Sequence, residues 1–296
     1  MRLLTLKTIL VATDLTETSA AAIATAARLA DAAGATLHVA HVAPDPSESN
    51  PASGRASEYE SAFDRALAVL KTPTLPQTHL LSGEPPSAVA MLADRLAADV
   101  VVLGRRRDER RSASDRPVGS TAYSFVTQTL VPVLVVCEPL SLPMQRALVA
   151  IDASEAARGS LLVALSWSSA LRPPVSTNAT LTVLHVDTGA PSSEGSAHMQ
   201  RTAAHDAEVL ERNAAGWAGV TLERLTVTNP DPAEAISQQA AASQAELVIL
   251  GTRSSAEHGQ SIWGSTSAAV TRRSTIPILL VPPAVWRSHV RDIDPF

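Results

Sequence analysis

One cysteine, Cys137, in a chain of 296 residues excludes an internal disulfide and any thiolate-held metal cluster. Its setting, VLVVCEP, reads as the buried or half-buried end of a strand rather than a reactive thiol. Aromatic residues are only 3% of the chain, so Ala, Val and Leu must fill the interior. An excess of positive charge is also missing: 24 Lys and Arg stand against 29 Asp and Glu. That balance argues against a surface that neutralises many phosphates, and nucleic acid is not an expected partner. No apolar run approaches the roughly 20 residues that span a bilayer. The opening MRLLTLKTILVATD is a basic residue and then a strand that turns acidic, unlike a secretory signal. A cytoplasmic protein without membrane association is the expectation. Walker A loop, dinucleotide fingerprint, nucleophile elbow and metal-ligand spacing are all absent from the sequence, so neither a catalytic set nor a structural metal is expected.

What is present is a repeat. ILVATDLTETSAAAIATAARLA, from Ile9, is answered by ALVAIDASEAARGSLLVALSWS, from Ala147. ATLHVAHV ending at Val42 matches ATLTVLHV ending at Val186, and VVVLG ending at Gly104 matches LVILG ending at Gly251. The last echo sets VGSTAYSFVTQTLVPVLVV against WGSTSAAVTRRSTIPILLV. The offset stays between 138 and 147 residues, a period that with two copies means a duplicated domain. The boundary is expected in the segment from Pro139 to Pro143, giving domains 1–142 and 143–296.

Within the first copy, apolar runs predict strands over Thr8–Ala12, Thr36–Val42, Thr78–Leu81, Val100–Leu103 and Val133–Val136. Helices are predicted over Ala20–Ala33, Tyr59–Leu70, Ser87–Ala97 and Ser120–Leu130, with Gly34 as a C-cap. The segments Pro44–Ser57 and Asp187–Ala197 lack periodicity and read as loops. The strand runs lack polar alternation, as parallel strands covered on both faces do. Right-handed crossovers then give an α/β fold of two tandem doubly wound domains, each with a five-stranded parallel sheet flanked by helices. The last strands of the two copies are apolar edges that need cover, and pairing them with each other would supply it.

Ligands of such sheets bind beyond the carboxyl ends of the strands, which directs attention to the residues just past each strand. Asp14 and Asp152 come after the first strands; a carboxylate there can accept a ribose hydroxyl or adenine amino group, or simply organise entry to the helix. Gly104 and Gly251 close the fourth strands. Gly119-Ser120 and Gly264-Ser265-Thr266 open the last helices, where unpaired N–H groups, a hydroxyl and the helix dipole suit an anion. An ordinary Ser-capped helix is the competing reading of one copy alone.

The first strand with its Asp, the His-Val at the end of the second, the hydrophobic-Gly, the Gly-Ser and the final PVLVV-like strand together resemble the universal stress protein family across nearly the whole chain. Nucleotide-binding members of that family carry a loop of the form G, two residues, G, nine residues, G, then S or T. The second half matches at Gly251, Gly264 and Ser265, with Ser254 at the middle glycine. The first half has Gly104, Gly119 and Ser120, with Arg107 at the middle position and two extra residues. The resemblance implies an adenine-nucleotide (ATP or AMP) binding stress-response or regulatory protein, with magnesium only as company for a triphosphate. It implies that Asp14 and Asp152 meet adenine or ribose, that the backbones of Val42 and Val186 meet adenine, and that Gly251, Ser254, Gly264, Ser265 and Thr266 wrap phosphate. The second half is the better expected site, and any ATPase activity would be slow. It implies further that one chain reproduces what the family builds as a dimer, with further self-association and an unidentified protein partner left open. An interaction module that no longer binds nucleotide is the alternative.

Three further features compete for function. The arginines at 105, 106, 107, 110, 111 and 116 could clamp phosphates through bidentate bonds, or form an ion-pair patch against the other domain. His41 and His185 sit at matching strand ends and read as hydrogen-bonded packing residues rather than ligands, and His198 and His205 lie seven apart on one expected helix face. Trp167, Trp217, Trp263 and Trp286 all fall in the second half; Trp263 could cover a bound ring, while packing is the default for each.

Overall fold

The computed structural model describes residues 5–44, 56–68, 70, 75–105, 124–126, 129–152, 154–172, 178–189, 219–252 and 265–292. The first half runs β1 (Thr8–Ala12), α1 (Ala20–Ala33), β2 (Thr36–Ala43), α2 (Ala56–Leu67), β3 (Gln77–Ser82), α3 (Pro85–Arg95), β4 (Val100–Gly104) and β5 (Val133–Val136). The second runs β6 (Arg146–Ile151), α4 (Glu155–Ala170), β7 (Ala179–Asp187), β8 (Val220–Thr228), α5 (Pro232–Ala242), β9 (Leu247–Gly251), α6 (Ser265–Arg273), β10 (Ile278–Val281) and α7 (Ala284–Asp292).

Two helices start earlier than periodicity predicts, because their first turns are chosen by end effects. In α2 the start at Ala56 places Glu58 in the first turn, where a carboxylate favours the dipole. In α3 the Pro-Pro pair opens the helix, and the Glu84 carboxylate accepts the Ser87 N–H and hydroxyl at 3.0 and 2.8 Å. The predicted helix over Ser120–Leu130 is described as helix only at 124–126. The segments 45–55 and 190–218 lie outside the described residues, as do His198 and His205. At the end of α1, Gly34 adopts φ 65° and its N–H bonds the Ala30 carbonyl, the left-handed cap that its position predicts.

The ten strands among the described residues form one sheet in the order β3-β2-β1-β4-β5-β10-β9-β6-β7-β8. Each half is parallel throughout, in the order 3-2-1-4-5 when counted within the half. The halves meet at one antiparallel pairing, Val133 with Leu280, Leu134 with Leu279 and Val135 with Ile278. The two apolar edges thus cover each other, as their composition requires. Alternate residues feed two cores, one on each face. Val11, Val39, Leu134, Val149 and Leu279 pack with Leu29 of α1 and Leu161 of α4. Leu10, Val101, Val133, Leu148 and Leu280 pack with Leu92 of α3, Ile236 of α5 and Val270 of α6. The segment joining the halves is part of the first of these cores: Leu140 and Met144 are fully buried, and the Leu140 N–H donates to Thr25 Oγ1 at 3.0 Å.

A device not expected from the sequence aligns the chain entering each half. Asp99 Oδ2 accepts the N–H groups of Lys7 and Thr8 at 2.7 and 2.8 Å. Glu246 Oε2 does the same for Gln145 and Arg146, at 2.6 and 3.0 Å. A second surprise is His38, whose Nδ1 lies 2.9 Å from His79 Nε2, the rings stacked at 5.1 Å. Burial depresses both imidazoles below the ordinary value, and His79 is depressed further by His38 and by the Arg95 guanidinium.

Leu134→Ala and Leu279→Ala should each cost about 2–5 kcal/mol in urea unfolding. Because the two residues face each other across the junction, the double variant should depart from additivity by about 0.5–3 kcal/mol. For the histidine pair, a depressed imidazole means that the unfolded chain protonates more readily, so its contribution is whole above the ordinary value of 6.5 and is lost as pH falls below it. Unfolding midpoints of wild type and His79→Gln should therefore diverge above that pH and converge in acid; a constant difference would remove the pair as the cause.

Candidate functional site

The strands of each half end in a cavity, one per half, as the topology of a doubly wound sheet directs. The first cavity, of about 270 Å³, brings together Thr13, Asp14, Ser19, His41, Val42 and Gly104, with Val89 of α3 and Leu103 as its apolar wall. The second, of about 250 Å³, gathers Asp152, Ser154, Val186, Thr188, Gly251 and Thr266, walled by Leu184 and Ile236. Asp14, Val42 and Gly104 therefore meet in one site, and Asp152, Val186, Gly251 and Thr266 in the other. Ser265 is the exposed first residue of α6, beside Thr266. Gly119, Ser120, Ser254, Trp263 and Gly264 lie outside the described residues.

Neither aspartate is the N-cap of the helix after it. Asp14 Oδ1 accepts the Thr16 N–H at 3.0 Å, the Thr16 hydroxyl at 2.7 Å and the Ser19 hydroxyl at 2.9 Å. Burial alone would raise this carboxyl, but the bonds from Thr16 and Ser19 outweigh it and hold the group below its usual value. It is an anion at neutral pH, fixed in place by its own loop. Thr13 Oγ1 lies 2.6 Å from Ser19 Oγ and accepts the N–H of Leu15, which sits at φ 58°. In the second half, Asp152 Oδ1 accepts the Ser154 N–H at 2.9 Å, and Ser154 itself caps α4 by accepting the Ala157 N–H. Both carboxylates thus organise a turn at the mouth of a cavity, the local alternative that Asp offers to a cap. Thr13, Ser19 and Ser154 are site residues that the sequence analysis does not single out.

The histidines at the strand ends are packed by hydrogen bonds. His41 Nδ1 lies 2.9 Å from the Thr13 carbonyl, which can only accept, so the ring donates there and Nε2 carries the lone pair in the neutral form. His41 also leans on Tyr59 at 5.3 Å. His185 Nδ1 makes the equivalent, longer approach to the Ile151 carbonyl at 3.3 Å. Among the described residues no group of three or more His, Cys, Asp and Glu could hold a metal ion.

Gly251 has a packing reason beside any role toward a ligand. A Cβ there would come within 2.8 Å of the Ala156 Cβ and 2.9 Å of its carbonyl carbon, so the first turn of α4 can lie on the strand end only over glycine. Trp167 is buried in the core, and Trp286 on α7 receives Arg158 at 5.8 Å from its ring centroid, both packing roles. Arg105 is not a phosphate clamp. It is buried, and its guanidinium donates to the carbonyls of Arg272 and Ser274 at the end of α6. The remaining arginines of that run lie outside the described residues.

Comparison with known proteins gives one family. The model of the universal stress protein family matches residues 5–136 and again residues 144–282. A curated relative from Thermus aquaticus, a universal stress protein encoded beside a QAH/OAS sulfhydrylase, is 36% identical over 75 residues. That match covers 25% of this chain and 55% of the relative, about half its length. A universal stress protein of Archaeoglobus fulgidus superposes with a TM-score of 0.67 at 18% identity, covering 95% of this chain and 97% of that one. A functionally unknown protein of Pseudomonas aeruginosa superposes at 0.63 and 14% identity, covering 98% and 97%. At these identities the structures establish the fold alone.

Gly251→Ala should destabilise the protein by about 1–3 kcal/mol, because the atoms in the way belong to Ala156 and its backbone rather than to a flexible side chain. Urea unfolding of the unliganded protein measures it; an unchanged midpoint would leave Gly251 with a ligand-facing role only.

Proposed function

The chain belongs to the universal stress protein family, and on that premise we propose that it is a cytoplasmic stress-response or regulatory protein that binds an adenine nucleotide, AMP or ATP, with the second half the better site. The observation that carries this reading is the second cavity, where the turn-forming carboxylate of Asp152, the strand end at Val186, Gly251 and the first turn of α6 share one space of about 250 Å³. Adenine packs against the Val186 backbone between Leu184 and Ile236. The ribose hydroxyls donate to Asp152. Phosphates lie outward, toward the N–H groups and hydroxyls of Ser265 and Thr266, where the helix dipole favours an anion. Such a volume lies just under the usual range of small-molecule pockets, about 300–1,000 Å³, and suits the nucleoside with its phosphates at the mouth.

The halves 1–142 and 143–296 act as two domains, each with its own site. In the first, Asp14, Val42 and Gly104 offer adenine and ribose the same chemistry, while Arg107 and the longer loop depart further from the phosphate-wrapping pattern than Ser254 does. Magnesium enters only on a triphosphate's own oxygens. Hydrolysis is absent or far slower than the usual enzymatic range of about 1–10³ s⁻¹. Bound ligand alters a surface that a protein partner reads. The missing middle glycines favour a second reading, an interaction module that has lost the nucleotide.

Denaturing the purified protein and identifying released nucleotide by mass spectrometry, followed by titration of the emptied protein with AMP and ATP, tests the two readings. Asp152→Ala should weaken binding about 10–100-fold, the worth of a hydrogen bond to a charged group. Protein that carries no nucleotide and ignores ATP at about 1 mM, an affinity of only about −4 kcal/mol, would be the interaction module.

A further inference from the structure

Arg105 immediately follows Gly104, a wall of the first cavity, yet its side chain belongs to the other half. It is 7% exposed, and its Nη1 donates to the Arg272 carbonyl at 3.0 Å while Nη2 donates to that of Ser274. These are among the carbonyls that the end of a helix leaves without intrahelical donors, here those of α6. The cation also meets the negative end of the helix dipole. Its Nε donates to Cys137 Sγ at 3.1 Å, just beyond β5. The backbone N–H of Arg105 bonds the Val136 carbonyl, so the residue is held at both ends.

The path from this clamp to the second cavity is short. Because β5 and β10 are antiparallel, the strands of the two halves point their carboxyl ends in opposite directions, and α6 runs along the strand direction from the carboxyl ends of the second half toward those of the first. Its nine residues span about 13 Å. Thr266 in its first turn lines the second cavity, and its last turn is held by Arg105. The same end is tied a second time: Arg273 pairs with Asp231 at 3.0 Å, and Asp231 caps α5, whose first residue, Pro232, lines the second cavity. The equivalent position in the second half, after Gly251, is Thr252, whose backbone bonds Val281 and whose side chain is too short for such a reach.

We propose that Arg105 is a positioning residue for the second-half site, contributed across the junction, and that it couples that site to occupancy of the first. This rests on the nucleotide reading above. A ligand against Gly104 shifts or fixes Arg105, Arg105 sets the axial position of α6, and α6 sets the N–H groups that meet phosphate in the other cavity. By linkage the effect is reciprocal: ligand in the second site must change affinity at the first by the same factor.

The test uses the full chain with AMP as probe. Asp14→Ala and Asp152→Ala isolate the second and first sites, and the affinity of each site alone is compared with its affinity in wild type. We expect the sites to influence each other about 5-fold or more, the lower range of allosteric coupling. In Arg105→Ala the influence should vanish, with Arg105→Lys, which keeps the charge without the two-carbonyl fork, in between. Cys137 is the only thiol, so its labelling rate reports the clamp in unmutated protein should Arg105→Ala fold poorly. AMP should change that rate, and in Asp14→Ala, where only the second site fills, it should still do so. AMP that binds both sites independently, or leaves Cys137 labelling unaltered, overturns the coupling while the nucleotide reading stands. AMP that binds neither site overturns both.

Discussion

The antiparallel pairing of β5 with β10 is the constraint on which the architecture depends. Each is a four-residue strand with every side chain buried, and each is the last strand of its half. Standing alone, either would present unpaired backbone groups along an apolar ribbon, the condition that promotes edge-to-edge association. Joined, they become the centre of a ten-stranded sheet whose outer edges are β3 and β8, the strands with the most exposed positions. In β8 half-buried and exposed residues nearly alternate, and Glu223 and Arg224 stand out to solvent, so the final edge is blunted by charge. The apolar edges face inward and the polar ones outward. The same pairing points the carboxyl ends of the two sets of strands in opposite directions and separates the two cavities.

Within each half, the site is held by bonds that the backbone makes for its own reasons. Asp14 and Asp152 form turns, His41 and His185 lean on the carbonyls of the preceding strand, and Gly251 gives room to α4. A ligand would find these groups already ordered, which reduces the entropy lost on binding. It also means that their presence alone carries less weight than their convergence, since each has a structural occupation. What distinguishes a site from a well-made strand end is that carboxylate, hydroxyls and an apolar slot share one cavity in both halves, joined by a helix N-terminus, at Pro85 of α3 in the first and at Thr266 of α6 in the second.

Most of the fold was legible because its signals are local and repeated. Strand runs such as VVVLG and LVILG, the cap at Gly34 and the apolar last strands each state their place in a few residues. The pairing of those last strands followed from the physical need to cover them. Less legible were contacts between residues distant in sequence: Asp99 with Lys7 and Thr8, Glu246 with Gln145 and Arg146, and His38 with His79. Nothing in the local pattern marks a carboxylate that will receive two amides from another strand. Helix starts shifted by a few residues because Glu58, Glu84 and the Pro-Pro pair act through end effects that hydrophobic periodicity does not contain. In the candidate site, Asp14, Asp152, Gly104, Gly251 and Thr266 were readable from their positions after strands or at a helix start, and Val42 and Val186 only through the family resemblance. Thr13 and Ser19 were not, because a hydroxyl that braces a carboxylate has no spacing rule of its own.

Arg105 shows the limit of reading a charged run by composition. As one of six arginines near a glycine it fits a phosphate clamp, but its environment is the end of a helix from the other half. The distinction depends on topology: only when the strands of one half meet those of the other head to tail does the residue after β4 lie beside the end of α6. In an assembly of identical chains, whatever residue came after the glycine would do so on both sides of the junction. A duplicated chain is released from that symmetry, since each copy mutates alone, and here the two positions hold Arg105 and Thr252. One helix end is gripped from across the junction by a long cation; the position that would grip the other holds a short hydroxyl. Fusion of the two copies therefore allows what an identical pair cannot have, two related sites of which one is positioned by its neighbour.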